Sequence, residues 1–267
     1  MKYLAVVSFI FSFLPLLQAQ ESEIAEPFLY VAHRGASYLA PENTLASIEL
    51  AWELGADAAE CDIMLTAYKQ VILFHDKNTK KLTGENHVVT DTPWETLKHL
   101  TIIPRESNRP EYTGETIPLL THALATIPED RMLVIEIKTG PEIIPHLKQI
   151  IDQQVIRGQI SFIAFDFETI RQIKALYPGL PAYYLSMIKA DLKKHMDAIV
   201  ESRLTGVDLR HGMIDQKLMD RCHAAGLEVW CWTVNDPETA LKMKNLGVSA
   251  ITTDRPAWLK NSLETMK

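Results

Sequence analysis

Two carboxylates lie two positions apart within a strongly apolar stretch of the chain. Glu60 and Asp62 fall inside the run Ala58–Leu65, whose other members are alanine, cysteine and larger apolar residues. Such a run is typical of a buried strand, and because side chains alternate along a strand, both carboxylates face the same side, about 7 Å apart. Two acids placed in this way repel each other unless a proton or a cation lies between them. Oxygen ligands alone suit a hard ion such as Mg²⁺ or Ca²⁺, so the pair predicts a site for such an ion.

Two histidines stand directly after apolar runs. His33 follows Phe28–Ala32, and His75 follows Val71–Phe74. Histidine changes charge close to neutral pH, so the two side chains are candidates for a general acid and a general base. A structural role is the usual alternative for an isolated histidine. A pair at strand ends beside an acidic cluster favours catalysis.

Further polar residues close other apolar runs. Glu136 and Lys138 lie at the end of Met132–Ile137 and, being two positions apart, face the same way. An ion pair with Lys138 is the structural alternative to a ligand role for Glu136. Trp232 lies late in the run Glu228–Val234, where burial in the core is the alternative to contact with a substrate.

The polar clusters sit at the ends of strands that alternate with helices. Eight strands are predicted to be parallel, at Phe28–Ala32, Ala58–Leu65, Met132–Ile137, Ile160–Phe165, Ala182–Leu185, Gly206–Leu209, Glu228–Val234 and Ala250–Thr253. Helices are predicted from Asn43 or Thr44 to Leu54, and at Pro93–Leu100, Pro141–Gln154, Phe167–Leu176, Ala190–Glu201, Gln216–Ala225 and Pro237–Leu246. Eight such strands can close into a TIM (β/α)8 barrel, whose active site lies at the C-terminal ends of the strands. The polar clusters fall at those ends.

The strand that leads to His75 does not fit the parallel pattern. Only five residues, Thr66–Gln70, separate it from the run before it, and a parallel crossover needs a dozen or more. The sequence therefore predicts an antiparallel hairpin strand added to the barrel. Residues 77–130 then form a long irregular insertion, which is either a substrate-binding lid or a covering loop.

The chain resembles the glycerophosphodiester phosphodiesterase family over essentially everything after Glu26. The resemblance is carried, in the family's order, by H-R-G at 33–35, P-E-N-T at 41–44, E-C-D at 60–62, H-D at 75–76, E-I-K at 136–138, W-T-V-N at 232–235 and T-T-D-R-P at 252–256. The chain departs from the family pattern at the hairpin tip, where 66–70 reads T-A-Y-K-Q, and at Lys81. These departures concern loop shape and substrate choice.

The resemblance implies roles for eight residues. It implies that Glu60, Asp62 and Glu136 are divalent-metal ligands and that His33 and His75 are the catalytic pair. Substrate contacts are expected from three further side chains. Arg34 offers a planar fork for phosphate oxygens, against the alternative of a surface salt bridge, while Lys138 offers a compact charge and Trp232 a stacking surface. The sequence does not choose between Ca²⁺ and Mg²⁺, nor does it say which histidine is the acid.

Composition limits the class of partner. The 267 residues are 47% hydrophobic and 23% charged, with a net charge of −7, which is typical of a soluble globular chain and argues against nucleic-acid binding. We expect a single domain over residues 27–267, with a small-molecule substrate. The three cysteines cannot build a disulfide framework, and free thiols are favoured over a bond between Cys222 and Cys231.

The N-terminus has the layout of a secretory signal peptide. Lys2 precedes the apolar run Leu4–Leu17, and Leu17-Gln18-Ala19 offers small residues for cleavage. The run is short for a membrane span, so we expect residues 1–19 to be removed and the protein to be exported, periplasmic or secreted. An uncleaved anchor is the alternative.

Taken together, these features predict an exported, metal-dependent phosphodiesterase. By its resemblance it would hydrolyse glycerophosphodiesters to an alcohol and sn-glycerol 3-phosphate. One alternative is the same site acting on lysophospholipids or on envelope glycerophosphate polymers. A second alternative is a barrel that binds a phosphorylated ligand without turnover.

Overall fold

The structure is a computed structural model and describes residues 28–266. Within that range, eight parallel strands close into a barrel: β1 (Leu29–Ala32), β2 (Ala58–Leu65), β4 (Met132–Ile137), β5 (Gln159–Ala164), β6 (Ala182–Ser186), β7 (Gly206–Arg210), β8 (Glu228–Trp232) and β9 (Ala250–Thr253). The ring closes where β1 pairs with β2 on one side and with β9 on the other. The predicted TIM barrel is confirmed.

The hairpin strand is also confirmed. β3 (Val71–Leu73) pairs antiparallel with β2 outside the ring, with Leu73 opposite Ile63. The Phe74 amide then donates to the Asp62 carbonyl over 3.0 Å. This hydrogen bond places the next residue, His75, beside the C-terminal half of β2.

The described residues form ten helices, of which the second and third belong to the insertion: α1 (Leu45–Glu53), α2 (Lys80–Thr83), α3 (Trp94–Leu97), α4 (Leu120–Ala125), α5 (Ile144–Gln153), α6 (Phe167–Leu176), α7 (Lys189–Glu201), α8 (Gln216–Ala224), α9 (Pro237–Asn245) and α10 (Pro256–Thr265). The sequence did not predict α2, α4 or α10. α1 begins at a capping box, in which the Thr44 and Ser47 side chains each accept from the other's backbone amide. The cap fixes the end of the loop that follows β1.

The insertion is more ordered than the sequence indicated. Three isolated bridges tie it together and to the hairpin, including one between Ile72 and Leu119. Its apolar side chains form a small core of their own against the hairpin, comprising Met64, Ile72, Phe74, Leu82, Val89, Leu97, Leu100, Ile102 and Ile117. The segment is therefore a packed layer beside the barrel and not an irregular loop.

The barrel interior divides into an apolar base and a polar mouth. Inward side chains at the base include Val31, Ala58, Val134 and Trp230, and the candidate site residues lie above them. All three cysteines are buried and free. The predicted signal peptide, residues 1–19, lies outside the described residues. Among residues 28–266, no helix combines the length and apolar character needed to cross a membrane.

Candidate active site

Three carboxylates converge at the C-terminal ends of β2 and β4. Asp62 lies opposite Glu136 in the strand register, and Glu60 projects from the same face of β2 as Asp62. Each of the three offers an oxygen atom within 4.8 Å of the others. The sequence-predicted ligands are therefore brought together in space.

Burial raises the free-energy cost of keeping the three carboxyl groups ionised and so shifts their pKa values. Glu60 is 2% exposed and Asp62 is 1% exposed. Burial, and then the charges of Asp62 and Glu136, raise the pKa of Glu60 well above its usual range. Burial and Asp62 likewise raise the pKa of Glu136 to about 7. Burial would also raise the pKa of Asp62, but the charges of Arg34 and Lys138 outweigh it and hold that pKa below its usual range.

The donor set fits a hard divalent cation. Glu60 Oε1 and Asp62 Oδ1 are buried and have no hydrogen-bond partner among the described residues. Buried acceptors of this kind are costly unless a donor or a cation satisfies them. Three carboxylate oxygens at short mutual range suit a hard cation such as Mg²⁺ or Ca²⁺.

Two positively charged side chains lie beside the three carboxylates. Lys138 Nζ lies 2.6 Å from Glu136 Oε1 and 3.5 Å from Asp62 Oδ1. Arg34 Nε lies 3.2 Å from Asp62 Oδ2, and its Nη1 donates to Glu42 Oε1 over 2.6 Å. Glu136 thus forms an ion pair with Lys138 and is also part of the carboxylate cluster.

The loop after β1 needs a left-handed backbone to make these contacts. Arg34 and Gly35 have φ values of 54° and 76°, so that the Arg34 amide donates to Glu60 Oε2 over 2.8 Å. A Cβ atom at position 35 would stand 2.4 Å from the Ser47 carbonyl carbon. Only glycine allows the start of α1 to approach so closely.

Each histidine is held through Nδ1 by an aspartate. His33 Nδ1 lies 2.6 Å from Asp254 Oδ1, and His75 Nδ1 lies 2.6 Å from Asp76 Oδ1. The hydrogen bond from His33 lowers the pKa of Asp254 to about 2, against the opposing effect of burial. An ionised carboxylate only accepts hydrogen bonds, so Nδ1 carries the proton and Nε2 is left for a substrate. Burial is the largest influence on His75 and lowers its pKa.

These groups line one cavity of about 330 Å³ at the barrel mouth. The predicted residues on its wall are His33, Arg34, Glu60, His75, Glu136, Lys138 and Trp232, and Asp62 lies buried behind Arg34 and Lys138. The Trp232 indole nitrogen donates to the Asp208 carbonyl over 3.3 Å, and its ring meets Phe165 edge to face. The structure therefore brings all eight predicted residues to one place.

Sequence reasoning missed the residues that hold the site in position. Asn43 exchanges two hydrogen bonds with Asp62, one through each atom of its amide group. Glu42 binds Arg34 on one oxygen and contacts Arg105, from the insertion, on the other. Asp76 and Asp254 hold the histidines. Most of these residues lie in the motifs P-E-N-T, H-D and T-T-D-R-P, so the sequence did mark them. The motifs alone did not indicate which side chains they contact.

The comparisons agree with this geometry. The family model described as "Glycerophosphoryl diester phosphodiesterase family" matches residues 33–258. The Bacillus subtilis protein YhdW is 30% identical over 238 residues, which are 86% of this chain and 95% of that protein. The Rattus norvegicus lysophospholipase D GDPD1 is 26% identical over 301 residues, covering 98% of this chain and 94% of that protein.

Among solved structures, one of an Oleispira antarctica phosphodiesterase in complex with the product sn-glycerol-3-phosphate is similar to this chain. The sequence identity is 28% and the TM-score is 0.80, over 90% of this chain and 97% of that one. The match of the family model spans most of the chain, including every motif that sequence reasoning singled out. The chain therefore belongs to the glycerophosphoryl diester phosphodiesterase family and is an enzyme of that class.

Proposed function

We propose that this protein hydrolyses glycerophosphodiesters to an alcohol and sn-glycerol 3-phosphate, with a divalent cation and two histidines. The observation that carries the proposal is that two Nδ1-anchored histidines face the same cavity as a cluster of three carboxylates and two cations. A site for simple binding has no need of a paired acid and base. The Oleispira antarctica phosphodiesterase, similar in sequence and fold, was solved with this product.

Glu60, Asp62 and Glu136 would hold the cation, which we propose to be Mg²⁺ or Ca²⁺. When bound, the ion would neutralise charge on the phosphate group. Arg34 and Lys138 lie on either side of Asp62, and their donors are placed to bind the remaining phosphate oxygens. The Asn43 side-chain amide donates to Asp62 Oδ2 and so fixes the orientation of the carboxylate.

His33 and His75 would move the protons of the reaction. Each presents Nε2 to the substrate, because Asp254 and Asp76 hold Nδ1. One imidazole accepts the proton of the attacking oxygen, and the other donates a proton to the departing alkoxide. Trp232 would pack against an organic substituent of the phosphate, since it lies on the cavity wall next to Phe165.

The decisive experiment measures glycerol 3-phosphate release from glycerophosphocholine, glycerophosphoethanolamine and glycerophosphoglycerol. We expect His33→Ala and His75→Ala each to lower turnover by roughly 10²–10⁴-fold. A nitrophenyl phosphodiester separates the two roles, because nitrophenolate leaves without a proton. The variant that lacks the acid should recover on that substrate, and the variant that lacks the base should not. Equal losses of both variants on both substrates would contradict the acid and base assignment.

A second candidate substrate class is lysophospholipid. Phe165, Met187 and Ile188 are exposed at the C-terminal ends of β5 and β6, where Phe165 and Met187 also line the cavity. This apolar rim could contact an acyl chain at the mouth of the site. Higher kcat/KM for lysophosphatidylcholine than for glycerophosphocholine would favour this candidate. Wild-type protein that releases no product from any of these substrates with either ion would favour the binding-only alternative.

Export is the remaining part of the proposal. The layout of residues 1–19 supports it: a lysine, an apolar run and small residues follow in order. N-terminal sequencing of protein recovered from its native host should find a new terminus at or near Gln20. An intact Met1, or recovery with the membrane fraction, would favour the anchor.

A further inference from the structure

Asp208 is a buried carboxylate on the cavity wall that the proposed chemistry does not use. It lies on β7 with its side chain directed into the barrel, between Leu185 and Trp230 in the strand register. The residue is 1% exposed, and its Oδ1 has no hydrogen-bond partner among the described residues. Asp208 nevertheless lines the same cavity as the histidines and Lys138.

The side chains of β5 and the end of β6 that share the cavity wall with Asp208 are apolar. Ile163, Leu185 and Met187 form the neighbouring wall, and no salt bridge within residues 28–266 reaches the Asp208 carboxyl group. Burial, and then the charge of Glu136, raise the pKa of Asp208 well above its usual range. A carboxyl group accepts a hydrogen bond in either protonation state and, when neutral, can also donate one.

A buried polar group without a partner costs free energy, and a ligand that supplies the partner recovers that cost. The phosphate group is placed by Arg34, Lys138 and the carboxylate cluster on the opposite wall, so the group that reaches Asp208 is one of the two organic substituents. The leaving alcohol has to depart through the open mouth of the barrel. The deep, nearly solvent-free position of Asp208 suits the substituent that stays on the phosphate.

We propose that Asp208 is a specificity-determining residue that forms a hydrogen bond with a hydroxyl group of the glycerol moiety. The inference rests on the proposed function, because the glycerol moiety is its ligand. A hydroxyl group satisfies the unpartnered carboxyl oxygen, whereas an alkyl chain of the same length leaves it unsatisfied. Sites that hydrogen-bond a substrate hydroxyl in this way discriminate strongly against analogues that lack it.

The test is a binding cycle, in which the affinities of wild type and of Asp208 variants are compared for a ligand with glycerol hydroxyl groups and a ligand without them. Calorimetry with Mg²⁺ present compares sn-glycerol 3-phosphate with propyl phosphate, which has the same chain without hydroxyl groups. Wild type should prefer sn-glycerol 3-phosphate by roughly 10- to 100-fold. Asp208→Leu should lose that preference by weakening only the glycerol ligand, and Asp208→Asn should keep most of it.

Ser161→Ala is the matched control. Ser161 Oγ is another buried oxygen without a hydrogen-bond partner in the described part of the barrel, but Ser161 does not line the cavity. Its removal should leave the ligand preference unchanged. If Asp208→Leu weakens both ligands equally, Asp208 acts only in packing and the inference is wrong.

Turnover separates this inference from the proposed function. Asp208→Leu should lower kcat/KM on glycerophosphocholine by a similar factor and lower kcat/KM on bis(4-nitrophenyl) phosphate, which has no glycerol hydroxyl group, by a smaller one. If wild type hydrolyses neither substrate, the proposed function fails, while the binding cycle still decides the role of Asp208. If wild type binds sn-glycerol 3-phosphate no better than propyl phosphate, the assignment is overturned.

Discussion

Replacing Asp254 by asparagine removes the charge that holds His33 without changing the shape of the side chain. Asp254 Oδ1 lies 2.6 Å from His33 Nδ1, and Oδ2 accepts from the Asn235 amide over 2.6 Å. An asparagine amide can instead turn its NH₂ group toward His33. The imidazole would then carry its proton on Nε2, which is the wrong tautomer if His33 is the base. If His33 is the acid, the imidazolium would lose the negative charge that stabilises it. In a serine protease triad the equivalent change costs about 10⁴ in kcat.

The effect of Asp254→Asn on the free energy of unfolding follows from the pKa of the Asp254 carboxyl group. Burial acts to raise the pKa of Asp254, but the hydrogen bond and charge of His33, and then Asn235 and Ser37, lower it to about 2. A difference of roughly two pKa units from an ordinary aspartate corresponds to about 2–3 kcal/mol. The side chain is 26% exposed, and screening by solvent reduces the expected contribution to about 1–2 kcal/mol. Because the folded-state pKa is depressed, the contribution is complete above about pH 4 and disappears as the pH falls toward 2.

Urea denaturation and steady-state kinetics test the two halves of this prediction. Asp254→Asn should lower the free energy of unfolding by about 1–2 kcal/mol at pH 7 and by progressively less below pH 4. Turnover of glycerophosphocholine should fall by roughly 10²–10⁴-fold with little change in KM. Asp215→Asn is the matched control, because Asp215 caps α8 without lining the cavity and asparagine caps equally well. Wild-type turnover in Asp254→Asn, with ¹⁵N NMR still showing Nδ1–H on His33, would refute the reasoning.

The site and the core support four further predictions. The pKa of Glu136 is raised to about 7 and that of Glu60 is raised well above its usual range. Binding of Mg²⁺ or Ca²⁺ should therefore release protons, and its affinity should increase as the pH rises from 6 to 8. Calorimetry in two buffers of different ionisation enthalpy measures the proton release, and an affinity that does not change with pH would contradict the prediction. Glu60→Gln should bind the ion more weakly yet unfold at a urea concentration close to that of the metal-free wild type, because it removes a repelling charge. Gly35→Ala should destabilise the fold and reduce turnover, since its Cβ would meet the Ser47 backbone at 2.4 Å, whereas Gly179→Ala, which meets no atom within 4 Å, should do neither. Phe162→Ala should cost about 3–5 kcal/mol of unfolding free energy, because the side chain is fully buried and stacks on Tyr177, and should leave KM unchanged below its unfolding temperature.

The barrel was predictable because its strands are continuous apolar runs with helices between them. Glu60 and Asp62 could be assigned to one face from the alternation of side chains alone, and the short Thr66–Gln70 link dictated an antiparallel hairpin. What the alternation could not supply was the distance between β2 and β4. The approach of Glu136 depends on strand order and register, which many separate pairings determine together.

The insertion and the residues that support the site were not predictable on the same grounds. α10 and the short helices near Lys80 and Leu120 have weak local patterns and are held by tertiary packing. The contact of Glu42 with Arg105 joins segments more than 60 residues apart. No local rule predicts such a contact, because its free energy depends on burial that only the complete fold creates.

The charges around the cavity match the substrate that the proposed function requires. Glu60, Asp62 and Glu136 contribute three negative charges when ionised, and Arg34 and Lys138 contribute two positive ones. When all three are ionised, the group therefore carries one net negative charge, which repels a phosphodiester anion. A bound divalent ion changes the net charge to one positive, equal and opposite to that of the phosphodiester. We therefore expect the carboxylate cluster to make anion binding conditional on the cation, so that a chain with a net charge of −7 can hold an anionic substrate at a single point. A titration of sn-glycerol 3-phosphate into protein treated with excess chelator should accordingly show no binding, and binding of equal strength with and without the ion would contradict this account.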